Sequence, residues 1–284
     1  MIDTSFLDQL ARFNLVVNKR VTSSYIGPRK SVARGRGIMF KEHRIYSPGD
    51  DFRSIDWKVF ARTDDLYVKT YEEERNLNVH IIVDISGSMN FGKPVSKFDY
   101  ASMLGVGFAY LAMKDNEKFQ FSTFSENIEI FESRKGMSQL ASMVEYLNNL
   151  KMKGHSNLKN CISQYRGFIG SRSMIVLISD FLVDVEEIKE TLMMLGNHDI
   201  TVIQVLDPIE KKLNVEGDFK LKDSESDAEM ITYIGSHMRE HYKGLLDKHS
   251  AQIQKMCNSL GYHFHQITTD KSIFSSFYEI LQKI

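Results

Sequence analysis

Residues 79–89, Val-His-Ile-Ile-Val-Asp-Ile-Ser-Gly-Ser-Met, constrain this chain more than any other stretch. From Val79 to Val83 the run is β-branched and almost uninterrupted, which suits a strand buried on both faces. It flows directly into Asp84, Ser86 and Ser88, with Gly87 between the two serines. A carboxylate and two hydroxyls at alternate positions, on a loop leaving a central strand, suit a small hard cation such as Mg²⁺. In open α/β sheets the carboxyl ends of the strands are where ligands bind.

The chain that follows supplies a sheet for that strand. Lys97–Lys114 reads as a helix with a wide apolar face. Gly105 and Gly107 weaken its propensity, so close packing on the sheet is expected to explain them. Lys118–Phe124 alternates like a strand, and Ile128–Phe131 suits a short edge partner. Residues 137–150 are amphipathic, and a helix to Phe168 is expected to open at Ser156 or Asn157 as its cap. Met174–Ser179 is a second continuous apolar run, ending in Asp180 as the first ends in Asp84. Val185–Leu195 reads as a helix and Asp199–Leu206 as a strand. Residues 207–230 are polar and suit loop and edge structure. A long helix over 232–260, or two joined ones, a strand over 262–267 and a closing helix over 272–284 complete the pattern. Strands alternating with helices of this length predict an α/β fold with a doubly wound, mostly parallel central sheet flanked by helices.

Residues 1–75 form a smaller β-containing N-terminal extension, and 76–284 the main domain. Residues 3–20 carry apolar positions at helical spacing (Phe6, Leu7, Leu10, Phe13), with Thr4 or Ser5 as cap. A basic arm, 27–37, is punctuated by Gly27, Gly35 and Gly37. Such an arm suits either phosphate or nucleic acid or a solvated surface, and its lack of phosphate-loop spacing favours the latter. Strands over 38–46 and 66–71 flank Tyr46-Ser47-Pro48-Gly49-Asp50-Asp51-Phe52-Arg53-Ser54-Ile55-Asp56-Trp57, with Arg62 beyond. Asp50, Asp51 and Asp56 beside Arg53 and Arg62 are either catalytic carboxylates or ion-pair partners that fix a loop. The balance of signs favours pairing. Trp57, the sole tryptophan, is expected to be a packed anchor with its N–H bonded. Glu72-Glu73-Glu74-Arg75-Asn76 reads as the connection into the main domain.

Composition narrows the function classes. A formal net charge of -1 argues against a dedicated nucleic-acid binder. Two cysteines, Cys161 and Cys257, are too few for a disulfide framework and point to the cytoplasm. No stretch approaches the roughly 20 apolar residues of a membrane span. Asp3 and Asp8 interrupt anything like a signal peptide.

The fold expected from this pattern brings Asp84, Ser86, Ser88, Ser156 and Asp180 to one edge of the sheet. Together they resemble the metal-ion-dependent adhesion site of von Willebrand factor A-type domains, written Asp-x-Ser-x-Ser, then Thr, then Asp. Ser156 stands where that family usually has Thr; a hydroxyl is retained, with a less fixed rotamer. The resemblance implies a divalent cation, most readily Mg²⁺ with Mn²⁺ or Ca²⁺ as alternatives, bridging to a carboxylate of a partner protein. The Tyr46–Trp57 element with Ala61-Arg62, the arm with Gly35-Arg36-Gly37 and Phe40, and Asp207-Pro208-Ile209-Glu210 are similar to the bacterial "domain of unknown function 58" family. That likeness implies a non-enzymatic adaptor or chaperone-like partner of a MoxR-type AAA+ ATPase.

The rivals are weaker. A haloacid-dehalogenase-type enzyme needs a second Asp where Ser86 stands. Ser86-Gly87-Ser88 is no nucleophile elbow, and no phosphate-binding Walker loop occurs. His237-Met238-Arg239-Glu240-His241 matches His-x-x-Glu-His formally, but no supported third zinc ligand follows, so polar positions on a surface helix explain it. His263 and His265 read as a solvated strand face. The standing enzymatic alternative is a metal-dependent phosphoesterase or peptidase using Asp84, Asp180 and the Asp50/Asp51 loop.

Overall fold

The computed structural model describes residues 39–72, 78–115, 117–131, 137–152, 154–170, 173–196, 198–222 and 228–283. The expected N-terminal helix, the basic arm and the 73–76 connection lie outside the described residues. What is described divides into two compact units, one within 39–72 and one spanning 78–283.

In the smaller unit β1 (Met39–Ile45) pairs antiparallel with β2 (Tyr67–Glu72). Gly49 turns the connection at φ +105°, a conformation glycine adopts without steric cost. Asp51 then accepts the Arg53 N–H at the head of a 3₁₀ turn, Phe52–Ser54, and Asp56 caps α1 (Trp57–Thr63) through the Lys58 N–H. The carboxylates are engaged locally, with partners other than those expected. Asp50 pairs with Arg44 at 2.6 Å and Asp56 with His43 at 2.9 Å, while Arg62 Nε donates to the Lys58 carbonyl. Trp57 is no packed anchor: it is 58% exposed, with its ring perpendicular to that of Phe60 at a centroid distance of 6.0 Å. It opens a helix of seven residues, none of them buried, so there is no core for its ring to enter.

The larger unit is built on a six-stranded sheet of order β10-β7-β6-β3-β4-β5. Its strands are β3 (Asn78–Asp84), β4 (Lys118–Phe124), β5 (Ile128–Phe131), β6 (Met174–Ser179), β7 (Asp199–Leu206) and β10 (His263–Thr268). All are parallel except the antiparallel edge strand β5. β3 lies between β4 and β6, which pair both of its edges, and helices cover both of its faces, as its apolar composition demands.

Period-two alternation assigns the faces. Ile81 and Val83 face α2 (Lys97–Lys114), where a Cβ on Gly105 would come within 3.4 Å of each and 3.0 Å of Phe121. Ile82 faces the other way, into a core with Leu177, Val202 and residues of α4 (Leu158–Tyr165), α5 (Val185–Leu195) and α7 (Ser236–Leu260). Gly107 serves a different neighbour from the one expected: its missing Cβ makes room for Phe277 of α8 (Ile273–Lys283), not for the sheet. α3 (Met137–Asn149) completes the helices around the sheet, with the short α6 (Pro208–Lys212) at its edge.

Further expectations change in this unit. Residues 207–230 contain α6 and β8 (Gly217–Lys222), which pairs with β9 (Glu229–Ile234). The long helix consequently starts at Ser236, because Thr232 lies in that hairpin and Gly235 separates strand from helix. His265 is buried rather than solvated, since α7 and α8 cover β10. His237 and His241 are exposed on α7, as a surface helix requires. No helix among the described residues is long and apolar enough to cross a membrane.

Candidate metal centre

Chain order reverses around β3: β4 follows on one side, β6 and β7 on the other. The carboxyl ends of β3 and β6 therefore lie at a topological switch point, the position where such sheets bind ligands. Asp84 ends β3 and Asp180 follows β6, so adjacent parallel strands deliver two carboxylates to the same edge.

Asp84 is the hub. It is fully buried, and its Oδ1 accepts the Ser86 N–H at 2.8 Å. Its Oδ2 accepts two hydroxyls, Ser179 at 2.7 Å and Ser156 at 3.1 Å. The Gly87 N–H bonds the Gly154 carbonyl at 3.0 Å, which brings the Ser156 loop against the Asp84 loop. The expected cap of α4 is Ser156 or Asn157. Asn157 holds the cap position without a side-chain bond, and the Ser156 hydroxyl is diverted to Asp84 instead. Ser86 and Ser88 share a hydrogen bond at 3.1 Å between their hydroxyls. A hydroxyl that donates to a carboxylate or to another hydroxyl keeps lone pairs free for a cation.

The electrostatics run the same way. Burial, and then the neighbouring Asp180 charge, push Asp84 up to about 6. Among the described residues no Lys or Arg forms an ion pair with Asp84. Asp180 differs: its Oδ2 accepts Lys97 Nζ at 2.8 Å, and its Oδ1 the Leu182 N–H at 3.2 Å. Its loop is held by Gln204 on the Asp180 carbonyl and by His249 on the Phe181 carbonyl. Phe181 sits at φ +51°, a left-handed conformation costing a bulky residue roughly 1–2 kcal/mol, and it is retained by its buried ring and those bonds.

The structure thus links Asp84, Ser86 and Ser156 directly by hydrogen bonds, Ser88 through Ser86, and Asp180 through its charge. Among the described residues no group of three or more His, Cys, Asp or Glu is placed to hold a metal ion. The donor set here is two carboxylates and several hydroxyls, hard oxygen ligands that fit Mg²⁺ better than a softer metal. Sequence reasoning missed Ser179, Lys97 and Glu210. Ser179 read as the end of a strand, and Lys97 as the start of a helix. Glu210 did carry a signal, since Asp207-Pro208-Ile209-Glu210 is a capping box.

The sequence profile of the family described as "Protein of unknown function DUF58" matches residues 42–252. An uncharacterized protein of Mycobacterium bovis, Mb1516, is 25% identical over 274 residues, spanning 95% of this chain and 86% of its own. The uncharacterized protein YeaD of Bacillus subtilis is 26% identical over 68% of this chain and 46% of its own. Among solved structures, an aerotolerance-related membrane protein from Bacteroides fragilis aligns over 73% of this chain and 98% of its own, at 17% identity and a TM-score of 0.46.

Proposed function

This chain belongs to the DUF58 family, and from that premise we propose that its larger unit is a von Willebrand factor A-like domain with a metal-ion-dependent adhesion site. Asp84, Ser86, Ser88, Ser156 and Asp180 would hold a divalent cation, Mg²⁺ first by size and hardness, with Mn²⁺ or Ca²⁺ as alternatives. The cation would supply an open coordination position for a carboxylate of a partner protein. The role is non-enzymatic: an adaptor or chaperone-like partner, with a MoxR-type AAA+ ATPase as the partner to test first. Two free, buried cysteines suit a cytoplasmic setting.

One observation carries the reading. Asp84 is a buried carboxylate with hydroxyls from two other segments turned toward it and a second carboxylate beside it. A buried charge normally has a cationic partner. A divalent ion would provide one. The hydrolase alternative draws on Asp50 and Asp51, which are engaged in the Arg44 pair and the 3₁₀ cap, and this supports the non-enzymatic reading.

Calorimetric titration of Mg²⁺ into the wild type and Asp84→Ala tests the site; equal binding by both sinks it. Capture of an AAA+ ATPase from lysate in Mg²⁺, lost in chelator, tests the partner. Capture that ignores the chelator refutes metal-bridged recognition.

A further inference from the structure

The site has a cation of its own. Lys97, the first residue of α2, has no exposed surface. Its Nζ donates to Asp180 Oδ2 at 2.8 Å and to Glu210 Oε1 at 2.7 Å. Lysines are almost never fully buried without such pairing, because desolvation opposes the charge. Glu210 in turn accepts the Asp207 N–H on its other oxygen at 3.1 Å, and Asp207 accepts the Ile209 N–H at 2.8 Å. One ammonium therefore joins the loop after β6, which carries a candidate metal ligand, to the first turn of α6, which follows β7. Burial alone would weaken the Lys97 charge, but the two carboxylates more than offset it and hold the amine ionised.

We propose that Lys97 is a positioning residue that holds Asp180 in place and couples the divalent-cation site to α6. Its coupling half rests on the adhesion-site reading; its bridging half does not. The ammonium and a bound divalent ion draw on the same Asp180 carboxylate. Loading the site weakens the grip of Lys97 on Asp180 and, through it, alters the hold on Glu210 and α6. The metal state of the edge of the sheet is then readable at a segment that carries Ile209, 49% exposed.

The test is amide hydrogen exchange on the full chain in chelator and in saturating Mg²⁺, with Mg²⁺ calorimetry alongside. The proteins are wild type, Lys97→Met and Glu210→Gln. In chelator, Lys97→Met accelerates exchange in residues 181–183 and 209–213 together, on the order of tenfold. Glu210→Gln accelerates only 209–213, because the Lys97–Asp180 pair persists; this milder variant decides the bridge if Lys97→Met fails to fold. In the wild type, Mg²⁺ changes exchange in 209–213, and in Lys97→Met it does not.

Unchanged protection of either segment in Lys97→Met overturns the proposal. So does uniform loosening of the whole sheet, or an α6 response to Mg²⁺ that survives the substitution. A wild type that takes up no Mg²⁺ overturns the adhesion-site reading and the coupling, while exchange in chelator still decides the bridge.

Discussion

Replacing Asp84 by Asn is expected to stabilise the metal-free protein and to abolish its response to Mg²⁺. Burial and the Asp180 charge raise Asp84 from 3.8 to about 6. Between these values the folded chain binds a proton that the unfolded chain has released. Stability therefore falls as pH rises through this window, and the loss is complete above it. At about 1.36 kcal/mol per pK unit, the ionised carboxylate costs the metal-free fold roughly 3 kcal/mol at neutral pH. Asn keeps the shape and an oxygen for the Ser86 N–H. The hydrogen bonds that favour the charged form, such as that from Ser179, are already contained in this net shift. The gain is therefore about 3 kcal/mol, or a rise in Tm of roughly 6–12 °C for a domain of this size. Thermal melts of both proteins in chelator, from about pH 4 to neutrality, should converge at the acid end and separate above it, since about 6 marks the folded-state midpoint. Taking the difference between the proteins cancels other titrating groups. In Mg²⁺ at a thousand times its Kd, the wild type alone gains about 4.1 kcal/mol, and the order reverses. An Asn variant less stable than wild type in chelator, by an amount independent of pH, would refute the reasoning.

Ser156→Ala should weaken Mg²⁺ binding in calorimetry, on the order of tenfold for one lost ligand, while Ser156→Thr keeps the hydroxyl and retains binding. Gly105→Ala places a methyl 3.0 Å from Phe121 and 3.4 Å from Ile81 and Val83. Overpacking of about 1–3 kcal/mol against a helix-propensity gain of about 1 kcal/mol predicts a net loss, read as a lower urea midpoint with unchanged slope. Trp57, the sole tryptophan and 58% exposed, should show red-shifted emission in the native protein, quenched readily by acrylamide. A blue-shifted, protected signal would contradict its placement.

Much of the architecture was legible because the signals are local. The β-branched, almost uninterrupted run at 79–83 and the continuous one at Met174–Ser179 are short and suit strands covered on both faces, and the structure places them side by side. The Asp84-Ile85-Ser86-Gly87-Ser88 loop could be found because its donors sit a few residues apart. Trp57 and the start of α7 were misread for the complementary reason. An aromatic residue or a Thr232-like β-branched position has no fixed fate until the surrounding elements decide what covers or pairs with it.

By itself the sequence determined the order of the central strands and the helices that cover them, and the residue types at the sheet edge, since periodicity and turn chemistry encode both. Only the tertiary structure decided how those residues are used. Lys97 meets Asp180 and Glu210 across 83 and 113 residues of chain, and Ser179 reaches Asp84 across 95. Periodicity says which face a side chain occupies, but strand order says what stands opposite it. For a buried ammonium and a buried carboxylate, what stands opposite sets the chemistry, because in a desolvated interior a charge is tolerated only beside its partner.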